Sequence, residues 1–164
     1  MANYLNADTA RFTAYGQVVR TGPQTFAQGG PGTSTLFTIH TGAVLVTMLA
    51  GLITTVPGGD PGFTMGFTPS GAGTAEANGL GTTVAVTEEA GTWVTPTYAP
   101  TTNKPTALSV GGHAGNIQYV TCAAFLASPG AITLYAANAE TGAISWYLCY
   151  VPLDEGAYVR ELTN

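Results

Sequence analysis

The chain has 164 residues, a length that fits one domain and can bury a real core without metals or disulfides. Only 8% of the residues are charged, four basic against nine acidic, while 45% are hydrophobic. This balance excludes charge-driven disorder, provides no electrostatic footprint for nucleic acid, and leaves no basic face for a membrane surface.

The first segment, residues 1–34, is predicted to be an extended arm. It holds Arg11 and Arg20 and is broken by Gly22-Pro23 and by Gly29-Gly30-Pro31-Gly32. Tyr4, Phe12, Tyr15 and Phe26 are scattered through it without a period. A solvated tail has no use for such side chains, so the arm is expected to lie on its own body or on a neighbour. The N-terminus lacks a basic region followed by an apolar run, so it does not read as a secretory signal.

Residues 35–164 are predicted to form a β body. Thr, Val, Ile and aromatic residues recur in short runs between turn clusters. In chain order the expected strands are Ser34–His40, Ala43–Val56, Gly62–Phe67, Thr82–Glu88, Thr92–Tyr98, Ala107–Val110, Gln118–Leu126, Ala131–Asn138, Ala143–Val151 and a short piece at Ala157–Leu162. The apolar run Ala43–Val56 is too short to span a bilayer as a helix, and no segment carries a helical period beyond one turn near Ala72–Ala77. The turns Pro57-Gly58-Gly59-Asp60-Pro61, Ser128-Pro129-Gly130 and Asn138–Gly142 supply the backbone angles that reverse strands. Many short strands at this spacing indicate an all-β sandwich, with a jelly roll as the expected form.

The run Ile144-Ser-Trp-Tyr-Leu-Cys-Tyr-Val151 carries the most information. Trp146, Leu148 and Tyr150 fall on one face, while Tyr147, Cys149 and Val151 fall on the other. A strand apolar on both faces is covered on both sides. In a sandwich one side is the core; the other is expected to meet the arm, a loop or another subunit. Trp146, Tyr147 and Tyr150 are the candidate body-interface residues, and Tyr4, Phe12, Tyr15 and Phe26 are those of the arm.

No catalytic set emerges. Glu88-Glu89 and Asp154-Glu155 are adjacent carboxylates, and neighbours on extended chain point apart. His40 and His113 belong to no ligand spacing, so no metal site or cofactor is expected. The Gly-rich stretches at 71–73 and 111–115 precede no helix that could bind phosphate. Cys122 and Cys149 sit in apolar strands, where a thiolate is disfavoured, and whether they pair is left open. Trp93, Tyr98, Tyr135 and Tyr158 are candidate sugar-stacking residues, with Asp60, Glu88 or Glu89 as polar partners.

The ending Thr141-Gly-Ala-Ile-Ser-Trp-Tyr-Leu-Cys-Tyr-Val-Pro-Leu-Asp-Glu-Gly-Ala-Tyr-Val159, after a Thr/Gly/Ala-rich β body, resembles small structural proteins of tailed-bacteriophage virions. In character it is most similar to capsid decoration proteins. The resemblance implies a β-sandwich or jelly-roll body, usually trimeric, that sits on the outer capsid and clamps neighbouring capsomers. Its implied partner is the major capsid protein, and its implied location is the virion surface. The expected function is therefore non-enzymatic. Two other readings stay open: a carbohydrate-binding sandwich, and a tail- or fibre-associated module.

Overall fold

The computed structural model describes residues 16–25, 32–60, 62–75, 80, 87–98, 105–111, 124–138 and 141–162. Its strands are β1 (Gln17–Thr25), β2 (Gly32–His40), β3 (Val44–Thr55), β4 (Phe63–Pro69), β5 (Trp93–Tyr98), β6 (Pro105–Gly111), β7 (Phe125–Ala127), β8 (Gly130–Ala136), β9 (Ala143–Pro152) and β10 (Tyr158–Glu161). No helix occurs among the described residues.

Two antiparallel sheets result. The six-stranded sheet runs β1-β9-β3-β5-β6, with β7 also paired to β3; the four-stranded sheet runs β10-β2-β8-β4. β3 is the spine of the larger sheet. One edge pairs with β9 along almost its whole length, while the other meets β7 at Val44–Val46 and β5 at Gly51–Leu52. The inward side chains of both sheets join in one core cluster, which makes the arrangement sandwich-like. Leu36, Phe37 and Ile39 of β2, Phe63 and Met65 of β4, and Ile132 and Leu134 of β8 meet Val46, Leu49 and Ile53 of β3 and Ile144, Trp146 and Leu148 of β9 there.

Trp146 is the largest side chain fully enclosed. Gly51 makes room for it. A Cβ at Gly51 would stand 2.9 Å from the Trp146 ring and 2.7 Å from Ile144 Cγ2, closer than real Cβ contacts come. The register of β3 against β9 runs through this glycine without a shift. Its irregularities fall between Val46 and Met48 and between Ile53 and Thr55.

Residues 17–25, which the sequence assigns to the arm, form an edge strand paired to β9. The physical reason lies in Gly22-Pro23, which reads as a break. Proline is tolerated on an edge strand and at a bulge, and the ladder shifts register between Arg20 and Pro23. Thr21 repairs the gap: its hydroxyl oxygen accepts the backbone N–H of Trp146 at 3.0 Å, wholly buried. Gly16 precedes β1 with φ of 79°, and a Cβ there would overlap the carbonyl of Tyr150. Tyr4, Phe12, Tyr15 and Phe26 lie outside the described residues.

The remaining expected strands appear with ends shifted by a few residues. Thr82–Glu88 falls almost wholly outside the described residues, and of Gln118–Leu126 only the end, within β7, is described.

Candidate functional site

Each sheet turns one face to the core and one face away from it. The candidate site is the outward face of the six-stranded sheet, and register fixes its composition. Val18, Cys149 and Met48 form one row across β1, β9 and β3. Arg20, Tyr147 and Ala50 form the next. Pro23, Ser145, Leu52 and Trp93 form a third, reaching β5. At the opposite end Val151, Leu45 and Leu126 form a row that reaches β7.

This face is apolar in nearly every position. Val18 is 62% exposed and Leu126 is 74% exposed. Leu45, Met48, Leu52, Trp93, Tyr147 and Val151 are half-buried. Arg20 is the one charged side chain in these rows. Its guanidinium stands 5.2 Å from the centre of the Tyr147 ring, and Tyr147 tilts against Trp93 at 5.6 Å. Small Ala50, between Tyr147 and the β5 side of β3, leaves space for the two rings to meet.

The sequence-predicted body residues divide between the two sides of β9. Trp146 is fully buried and Tyr150 is 2% exposed, both in the core. The Tyr150 hydroxyl donates to the Gln17 side-chain oxygen across the β1–β9 pair. Only Tyr147 lies on the outward face. Val18, Met48 and Leu126, which no local motif marks, join it. Their one sequence signal is apolar alternation, and long-range pairing decides which phase faces out.

The outward face of the four-stranded sheet has different chemistry. Its rows are Tyr158 with His40; Arg160, Thr38, Ala131 and Thr68; Thr35, Thr133 and Gly66; and Thr33, Tyr135 and Thr64. His40 stacks on Tyr158 at 4.8 Å with an interplanar angle of 18°. His113 and Cys122 lie outside the described residues, and Cys149 is buried under the apolar face.

The candidate sugar-stacking residues are not gathered in one place. Trp93 belongs to one outward face, and Tyr135 and Tyr158 to the other. Along β2, Tyr135 pairs with Thr33 and Tyr158 with His40, a separation of roughly 23 Å at strand rise. The Tyr98 side chain lies outside the described residues.

The carboxylates sit at turns. Asp154 accepts the backbone N–H of Ala43 at 2.7 Å, and Asp60 accepts that of Gly62 at 2.9 Å. Glu88 and Glu89 lie in the loop before β5, where the Glu89 carbonyl accepts the N–H of Thr92. Among the described residues no group of three or more His, Cys, Asp or Glu is placed to hold a metal ion, and no helix is long and apolar enough to cross a membrane.

Comparison with known proteins yields no match to a family model, to a curated protein or to a solved structure.

Proposed function

We propose that this chain is a non-enzymatic virion structural protein, a capsid decoration subunit that binds the outer shell as a symmetric oligomer, with a trimer favoured. The observation that carries the reading is the apolar outward face of the six-stranded sheet, coupled to a chain with few titratable groups. A surface built from Val, Leu, Met and aromatic side chains performs no proton transfer; it adheres. Each well-buried aliphatic or aromatic side chain contributes about 2 kcal/mol, and a symmetric lattice multiplies such small terms.

The body is read as jelly-roll-like. Its chain passes repeatedly between the two sheets, and β5 and β6 are the only sequence-consecutive described strands that pair. The major capsid protein is the proposed partner. Residues 1–15, with Tyr4, Phe12 and Tyr15, are the proposed shell contact, because β1 already belongs to the body.

Co-sedimentation with empty shells of the cognate capsid protein tests the reading. The full chain is expected to pellet with shells and to raise their melting temperature. A chain lacking residues 1–15 is expected to fold and to bind more weakly. A full chain that stays in the supernatant overturns the proposal. The same assay against purified tails separates a tail or fibre role. The carbohydrate-binding alternative is less supported, because its aromatic candidates share no platform.

A further inference from the structure

We propose that another copy of this chain covers the outward face of the six-stranded sheet, so that this face is the self-association surface. The inference rests on the reading of the chain as an oligomeric structural subunit and names the surface that reading requires. Its first argument is area. From Leu45 to Leu52 the face is about 25 Å long at strand rise, and four strands across make it about 19 Å wide. The projected area is therefore roughly 450 Å² per copy, about 900 Å² for two, and side-chain relief adds to it. Stable interfaces bury about 1,200–2,000 Å² of accessible surface in total, so two such faces supply the larger part of what the smallest of them needs.

The second argument is charge. The chain carries a net charge of −5, yet none of its acids lies in these rows. Asp60, Glu88, Glu89, Asp154 and Glu155 are in turns and loops, and Glu161 is on β10 at the far edge of the other sheet. Copies that meet through this face, paired or gathered around a three-fold axis, therefore bring no carboxylates together. A strongly charged partner would find only Arg20 to pair with, and that guanidinium already lies over Tyr147. A neutral, apolar surface of the same extent is what fits, and each copy supplies one.

The third argument is where the exposure lies. Val18 and Leu126, on opposite edges of the face, are the two most exposed of the large exposed hydrophobic side chains. Substituting them touches no core packing, so they report on association without threatening the fold.

The test compares the solution mass of the full chain by light scattering with that of Val18→Lys, Leu126→Lys and the control Thr68→Lys on the other outward face, with circular dichroism on all four. The expected result is a multiple of the single-chain mass for the wild type and for Thr68→Lys. Val18→Lys and Leu126→Lys are expected to give the single-chain mass with unchanged spectra. A wild type at the single-chain mass overturns the inference, while shell co-sedimentation judges the structural-subunit reading independently. A wild-type multiple that both face variants retain also overturns it, and leaves the oligomeric reading standing.

Discussion

The two sheets are built by the same rule and finish with opposite outward faces. On the six-stranded sheet the outward rows hold Val18, Met48, Leu45, Leu126, Tyr147 and Trp93. On the four-stranded sheet they hold Thr33, Thr35, Thr38, Thr64, Thr68 and Thr133, edged by Tyr135, Tyr158 and His40. Both use β-branched and aromatic residues, which suit a pleated surface. The difference is that most outward side chains of the four-stranded sheet carry a hydroxyl and most of those of the six-stranded sheet do not. Threonine lets a strand face water while keeping its backbone preference; valine, leucine and methionine on the other sheet gain only if something excludes water from them. A chain this poor in charge therefore divides its surface by hydroxyl content rather than by ionic content.

That contrast needs a core that holds the two faces apart, and Trp146 is its largest element. Trp146→Ala removes a fully buried indole and is expected to cost about 3–5 kcal/mol, read from the denaturant midpoint. A loss below 1 kcal/mol would mean that the sheets do not depend on this ring.

Next in size is Thr21→Val. The shape is kept, but the Trp146 N–H loses its buried acceptor at the β1 bulge. The expected loss is about 1–3 kcal/mol, with amide exchange at Trp146 accelerated. If exchange is unchanged, β1 is not held in the way described.

The faces themselves are compared by matched substitutions. Tyr147→Ser on the apolar face is expected to weaken self-association about tenfold or more in a dilution series, a difference of about 1.4 kcal/mol. Tyr135→Ser on the threonine face is expected to leave association unchanged. Equal effects from both would erase the distinction.

The smallest effect is expected at Ser145. Its hydroxyl is fully buried beneath the apolar face, and it has no hydrogen-bond partner among the described residues. Ser145→Ala relieves that desolvation and is expected to shift stability by less than about 1 kcal/mol, toward the stable side. A clear destabilisation would show that the hydroxyl has a partner.

Much of this was legible in the residues. The runs around β2, β3, β8 and β9 are long, β-branched and bounded by Gly and Pro turns, so their existence follows from local chemistry. The double apolarity of β9 announced a strand covered on both sides, and the alternation sorted Trp146, Leu148 and Tyr150 from Tyr147, Cys149 and Val151. Which set faces the core was not legible, because both are large and apolar, and the phase is chosen by pairing with β3 and its bulge at Val46/Met48. For the same reason the apolar face was visible only through one of its strands. β1 was lost to Gly22-Pro23, since a local reading cannot tell a bulged edge strand from a broken arm.

The central claim is that one outward face is covered by another copy and the other is not. Hydroxyl-radical footprinting of the full chain at low and high protein concentration tests it residue by residue. The account predicts that oxidation of Met48, Tyr147 and Trp93 falls as concentration rises, while Tyr135 and Tyr158 are labelled equally at both. Labelling of Met48, Tyr147 and Trp93 that does not change with concentration, or protection confined to Tyr135 and Tyr158, would contradict it.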